Sequence, residues 1–225
     1  MSGLYRLATG LIEPLVLGVG ALVERADEKL RRDRRGVLTS ARGGHWLHAA
    51  SAGEMRGLIP LVRTRNASQP LVLTAQTAAG MATGRAHLSD RPIHRMPFDL
   101  PAAMRRAFDS SGVAAVILAE TELWPNMLEE AHRRDIPVAL VNARISNRSW
   151  SRYRASRSFW RKRLDRLRVV AAQSEVDAER FRELGVPVEA LAVTGNMKHD
   201  HQHLSLIHIS EPTRLRRISY AVFCL

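Results

Sequence analysis

The sequence predicts an α/β domain, a parallel sheet with helices on both faces, and three observations carry that reading. From His45 onward, short apolar runs recur: Trp46–Ala50, Leu71–Thr74, Ile93–Met96, Val113–Leu118, Val138–Asn142, Val169–Ala172 and Leu191–Thr194. Between them lie stretches with apolar residues at helical spacing, such as Leu58–Leu61–Val62 and Met127–Leu128–Ala131. Strand and helix alternating at that pitch give parallel strands joined by crossover helices. The residues just after the runs are almost all small, polar or charged. In an open α/β sheet, ligands bind beyond the carboxyl ends of the strands. Pro137 and Pro187 each stand just before a strand, where a missing N–H costs little. No internal repeat or low-complexity linker divides this part of the chain, so residues 37–203 read as one domain.

Residues 1–36 precede that domain. Leu4 to Val23 is apolar apart from Arg6, Glu13 and a few small residues, and Leu4, Leu7, Leu11, Leu15 and Leu22 recur at near-helical spacing. A bilayer span takes roughly 20 apolar residues, and Glu13 near the middle counts against deep insertion. The expectation is a helix lying in a membrane interface, with Arg25, Lys29, Arg31, Arg32, Arg34 and Arg35 behind it to meet anionic headgroups on the cytoplasmic side. The plain alternative is an amphipathic helix packed on the domain. No small-x-small cleavage site follows cleanly, so a removed signal peptide is not expected.

The composition, 45% hydrophobic and 25% charged in 225 residues, is globular and excludes a disordered chain. A formal charge of +12 favours anionic partners without choosing among nucleic acid, phospholipid and phosphorylated substrate. Cys224 is the only cysteine, which excludes a disulfide framework and any cysteine-based metal site. From Leu204 the character changes to LSLIHISEPTR, LRR and ISYAVFCL. The first and last blocks look like the in-frame translation of a transposase-type sequencing adaptor, and the three residues between them match a variable index. Residues 204–225 therefore read as a non-native tail, and the authentic product as truncated near His203. Without Glu211, Arg214, Arg216 and Arg217, which together carry +2, the charge of +12 falls to +10.

Five rim segments carry candidate chemistry. In Ser51-Ala52-Gly53-Glu54 a strand ends in small residues that let a ligand approach the backbone, and Glu54 stands at the start of a helix. Helix-start N–H groups favour anions and keep Glu54 ionised, while shielding by substrate raises its pKa; a general base needs that balance. A glutamate that merely complements the helix dipole fits the same spacing. Glu120 and Glu122 follow the most apolar run, where carboxylates are costly to desolvate unless paired, so an ion pair with an arginine competes with function. Gln76-Thr77-Ala78-Ala79-Gly80 puts Thr77 beyond a third strand. Arg144, and Asn196 with Lys198 after Gly195, place cations and amides beyond two more, where Lys198 can reach a phosphate or a sugar carboxylate.

Taken together, HAASAGE (His48–Glu54), QTAAG (Gln76–Gly80), MPFDLP (Met96–Pro101), AETELWPN (Ala119–Asn126), NARIS with Asn147 to Ser149, AAQSEVDAERFRELG (Ala171–Gly185) and TGNMKHD (Thr194–Asp200) resemble the bacterial 3-deoxy-D-manno-octulosonic acid (Kdo) transferases, in order and spacing over residues 1–203. AASAGE departs from the family's more usual SVSVGE but keeps the serine, glycine and glutamate. The resemblance implies the Rossmann-like N-terminal domain of a GT-B glycosyltransferase. It implies a lipid A precursor (lipid IVA) as acceptor and CMP-Kdo as donor, the donor site lying mostly in a C-terminal half absent from this chain. Transfer is then an inverting single displacement at the cytoplasmic face of the inner membrane, in lipopolysaccharide core synthesis. By motif match Glu54 is the base, Glu120 and Lys198 stabilise the transition state, and Ser51, Gly53, Thr77, Arg144 and Asn196 bind substrate. No metal or other cofactor follows from the family pattern. Without a donor half, this polypeptide is expected to be inactive alone.

Two rival readings remain from the residues. Arg148, Arg152, Arg154, Arg157, Arg161, Lys162, Arg163 and Arg166 interleave with Trp150, Tyr153, Phe159 and Trp160, a pattern that suits single-stranded nucleic acid. Tyr153, Arg157 and Trp160 also have helical spacing that turns aromatics to a core, and no nucleic-acid partner is expected. A different nucleotide-sugar enzyme can share the half-fold.

Overall fold

The structure, a computed structural model, describes residues 2–23, 27–64 and 69–197. Lys198 and the segment 204–225 lie outside them. Seven strands form one sheet in which every pairing is parallel: β1 (His45–Ala49), β2 (Leu71–Ala75), β3 (Ile93–Arg95), β4 (Ala115–Ala119), β5 (Val138–Ala143), β6 (Val169–Ala172) and β7 (Leu191–Val193), in spatial order β3-β2-β1-β4-β5-β6-β7. Each apolar run in the sequence became a strand, with ends shifted by one or two residues. Every residue of β4 and β5 is buried, which is why these two read as continuous apolar runs rather than alternating ones. Pro137 stands directly before β5, whereas Pro187 leads into a 3-10 turn, Val188–Ala190, that precedes β7.

Two cores lie on the two faces. On one, α3 (Ala52–Arg63) and α4 (Ala78–His87) press Met55, Leu58, Ile59, Val62 and Met81 onto Leu47, Leu73, Ile117 and Val141. On the other, α5 (Pro101–Ser111), α6 (Pro125–Arg133), α8 (Arg157–Leu164) and α9 (Glu175–Glu183) pack Met104, Phe108, Met127, Leu128, Leu164 and Phe181 against Trp46, Val116, Leu118 and Leu140. The crossing from one face to the other occurs between β3 and β4, so strand order reverses at the β1/β4 junction. In open α/β sheets ligands bind beside such a reversal, which here directs attention to the carboxyl ends of β1 and β4.

α1 (Ser2–Val23) lies across the second helical layer. Its inner side is tied down by polar contacts. Glu13 is buried and accepts the backbone N–H groups of Ala102 (3.1 Å) and Ala103 (3.0 Å), Arg6 reaches Glu130 at 3.4 Å, and Asn126 donates to Thr9 at 3.2 Å. Its outer side exposes Leu4, Leu7, Leu11, Ile12, Leu15 and Val19, with Leu11 at 82%. No helix among the described residues is long and apolar enough to cross a membrane.

α2 (Glu28–Arg34) corrects part of the reading of the basic cluster. Arg34 does not face outward. It is buried, donates to Gln76 (2.9 Å) and to the Met96 carbonyl (2.8 Å), and stacks over Phe98. Lys29 is drawn to Asp33 and the Ile93 carbonyl, while Arg25 lies outside the described residues. The arginine-rich segment also differs from one continuous helix: α7 (Asn147–Ala155) and α8 meet at a break at Ser156. Trp150, Tyr153 and Trp160 pack against the core from these helices, so three of the four aromatics serve packing.

Candidate functional site

Glu54 and Glu120 flank the β1/β4 junction. Ser51 caps α3, its hydroxyl accepting the Glu54 N–H at 3.3 Å. Glu54, three residues on, folds back: one carboxylate oxygen accepts the Ala50 N–H (2.8 Å) and the other accepts the Ser51 hydroxyl (2.8 Å). This is a capping box shifted by one residue, with Glu54 satisfying the N–H of Ala50, just before the cap, and the Ser51 hydroxyl. It holds the carboxylate at the rim in one orientation. Burial pushes the Glu54 carboxyl up; the Ser51 and Ala50 bonds pull it back, and the charges of Glu122 and Glu120 push it up again. The mutual influence places all three carboxylates in one neighbourhood. A site that raises a carboxylate's proton affinity while keeping it fixed by hydrogen bonds suits proton abstraction. Gly53 lies half-buried in the same helical turn, where backbone N–H groups have no intrahelical acceptor.

The backbone is strained at this rim. Glu120 has φ +53° and Asn142, at the end of the neighbouring strand, φ +54°. Asparagine adopts this region readily; glutamate does so at a cost of about 1–3 kcal/mol. The strain turns the Glu120 side chain at the end of β4, where its N–H still bonds the Val141 carbonyl at 2.9 Å. Asn142 joins two segments: its amide nitrogen lies 3.5 Å from Glu120 and its amide oxygen accepts the Met197 N–H at 3.0 Å. The Gly195-Asn196-Met197 segment is thereby drawn to the Glu120 side of the junction, with Gly195 at φ +83° and Asn196 half-buried. Lys198, the next residue, is not described.

The other expected residues sit as follows. Thr77 is exposed and spends its hydroxyl on structure: it caps α4 by accepting the Gly80 N–H (3.1 Å) and donates to the Ala50 carbonyl (3.0 Å). Gly80 gives the turn a close fit, since a Cβ would lie 3.1 Å from the Ala50 oxygen and 3.2 Å from the Ala75 Cβ, tighter than ordinary contact. Arg144 is exposed, and its carbonyl accepts the Thr121 hydroxyl, tying the loops after β4 and β5. Among the described residues no three His, Cys, Asp or Glu side chains are grouped to hold a metal ion.

Three residues escaped sequence reasoning. His48, within β1 and fully buried, has Nε2 3.4 Å from a Glu122 oxygen and Nδ1 2.9 Å from the Thr74 hydroxyl. The Trp46 indole donates to that same hydroxyl at 2.8 Å. Glu122 thus meets a histidine, where the sequence offered an arginine. The available signal was a histidine and a threonine at core-facing positions of apolar strands, which is expensive without a purpose.

Comparison with known proteins gives the following. Residues 24–201 match the family model of 3-deoxy-D-manno-octulosonic-acid transferase (kdotransferase). A 3-deoxy-D-manno-octulosonic acid transferase of Haemophilus influenzae is 35% identical over 161 residues, covering 70% of this chain and 38% of the relative. One from Bordetella pertussis is 36% identical over 163 residues, covering 69% and 37%. The chain thus spans about two fifths of the length of these curated relatives. Among solved structures, the S. aureus MnaA–UDP co-structure superposes with a TM-score of 0.52 at 12% identity, covering 78% of this chain and 51% of that one, a likeness of fold.

Proposed function

Because the chain belongs to the 3-deoxy-D-manno-octulosonic acid transferase family, we propose that it forms the acceptor-side half of an enzyme that moves Kdo from CMP-Kdo to the lipid A precursor lipid IVA. In this reading residues 37–203 are one of two facing halves of a GT-B glycosyltransferase. Glu54 takes the proton from the attacking sugar hydroxyl. The hydroxyl oxygen bonds to the anomeric carbon of Kdo as CMP leaves with the bonding pair, and configuration inverts. Glu120 and Lys198 stabilise the charge that develops during transfer, and Ser51, Gly53, Arg144 and Asn196 line the acceptor's approach. Thr77 enters only by holding the Ala50 turn. The observation that supports the reading is the part-buried Glu54 carboxylate, fixed by the Ala50 N–H and Ser51 hydroxyl at the strand-order reversal and raised further by the charges of Glu122 and Glu120.

Attachment to the cytoplasmic face of the inner membrane belongs to the same proposal. α1 is pinned on its inner side by Glu13 and Arg6 and offers an apolar stripe outward, the form of a helix that lies in a bilayer interface. The net charge of +12, or +10 without residues 204–225, suits anionic headgroups and the phosphates of the acceptor.

The test is binding of lipid IVA to the 225-residue chain by NMR. Shifts confined to residues around Glu54, Glu120 and Asn142 are expected, retained in Glu54→Gln. Incubation with CMP-Kdo and acceptor should give no turnover by this polypeptide alone. Acceptor binding elsewhere on the molecule sinks the proposal.

A further inference from the structure

We propose that His48 is a positioning residue: a buried chain of donors, Trp46 to Thr74 to His48, presents an Nε2–H to Glu122 and so holds that carboxylate beside Glu54. The inference deepens the reading of Glu54 as the base and rests on it.

The direction of the chain follows from counting donors. The Trp46 indole N–H can only donate, and it does so to the Thr74 hydroxyl at 2.8 Å. That hydroxyl has one proton of its own, with two places to send it: His48 Nδ1 at 2.9 Å or the Met96 sulfur at 3.9 Å. A ring nitrogen is the far better acceptor, so Nδ1 accepts and, in the neutral ring, Nε2 carries the hydrogen. The opposite tautomer would turn a bare nitrogen lone pair toward the Glu122 oxygen, an unfavourable contact at a residue shielded from water. All three donors therefore point toward the rim.

The last link is unfinished. His48 Nε2 is buried and lies 3.4 Å from Glu122, within reach of an ion pair but without the alignment of a completed hydrogen bond. An unspent donor on a fully buried side chain is rare and costly. Here it is aimed at one of the two carboxylates that load charge onto Glu54. Trp124 packs edge-on to the imidazole, 6.0 Å between ring centres, and helps keep water from the contact. Catalytic hydrogen bonds are commonly long in the unliganded state and tighten when substrate enters. The His48–Glu122 contact has that form: a set distance that closes when an acceptor hydroxyl reaches Glu54. Glu122 then keeps negative charge near the base, and His48 keeps Glu122 in place. The groups facing Glu54 are the Ala50 N–H, the Ser51 hydroxyl, Glu120 and Glu122, and only Glu122 has a partner within the core chain just described.

The experiment uses the 225-residue chain without substrate, so its outcome is independent of whether the transferase reading stands. NMR of chain carrying 15N-labelled histidine reads the tautomer of His48, and 13C-labelled glutamate reads the titration of Glu54. A proton on Nε2 and none on Nδ1 is expected, with Thr74→Val mixing the two forms. Glu122→Gln, a rim change that leaves the core intact, should lower the Glu54 midpoint by removing one of the charges that raise it. His48→Leu should do the same by releasing Glu122, and His48→Gln, which restores a donor near the Nε2 position, should return it toward the original value. The proposal is overturned if Nδ1 carries the proton, or if the Glu54 midpoint ignores Glu122→Gln. It is equally overturned if His48→Gln behaves as His48→Leu in folded protein.

Discussion

Replacing Glu13 with alanine tests whether α1 is part of the domain. The Glu13 carboxylate receives the N–H groups of Ala102 and Ala103, the first two free donors of α5. That helix has no cap of its own: Leu100 stands at the N-cap and Pro101 has no N–H. Losing a helix cap costs about 1–2 kcal/mol. A hydrogen bond to a charged acceptor is worth about 1.5–3 kcal/mol, part of which water recovers once the carboxylate is gone. The expected loss for Glu13→Ala is therefore about 2–3 kcal/mol. In urea, with an unfolding slope of about 2 kcal/mol per molar, the midpoint should fall by about 1–1.5 M. Glu13→Gln, keeping one acceptor oxygen but no charge, should lose about half as much. Leu11→Ala, on the exposed side of the same helix, should leave the midpoint unchanged. A Glu13→Ala midpoint within experimental scatter of the parent would refute the reasoning and make α1 an appendage.

Two further outcomes follow from the site and its surroundings. Glu120→Gly relieves a left-handed glutamate and should stabilise the fold by about 1 kcal/mol in thermal or urea unfolding while removing a rim carboxylate; a loss of stability would mean the φ of +53° carries no strain. Asp99, which caps α6 through the N–H groups of Asn126 (3.0 Å) and Met127 (2.9 Å), is raised by burial from an ordinary 3.8 to about 6. A raised acid gives stability that is complete below its unfolded value and lost as pH rises through its folded one. This residue should therefore cost the fold about 3 kcal/mol between pH 4 and 6.5, at about 1.4 kcal/mol per unit. Asp99→Asn should flatten that part of the stability–pH curve, and an unchanged slope would reject the assignment.

The sheet was legible because parallel strands buried on both faces are continuous apolar runs, as in Val116 to Ala119 and Val138 to Val141. Glu54 was legible as a helix start because the apolar run of β1 ends in the small residues Ser51-Ala52-Gly53 just before it. What stayed hidden depends on distance along the chain. Glu13 and Asp99 cap helices that begin 88 and 26 residues later, at Pro101 and Pro125, and no local pattern marks a carboxylate for such duty. Arg34 reads as one more member of a basic run until Gln76 and the Met96 carbonyl are brought to it. The break at Ser156 has no proline or glycine to announce it, and it is seen only once Tyr153 and Trp160, in tilted contact with ring centres 5.2 Å apart, both pack on the core. His48 looks like one more strand residue until its neighbours from β2 and the β4 loop are known.

The cap that Glu13 supplies has a consequence during translation. Glu13 leaves the ribosome about 90 residues before the Ala103 amide it serves. At 5–20 residues per second the delay is roughly 5–20 s, against microseconds for a helix to form. Through that interval the leucines of α1 have no α5 to rest beside. The Glu13 cap can close only after the Ala102 and Ala103 amides have emerged, so docking of α1 is a late step in the domain's assembly.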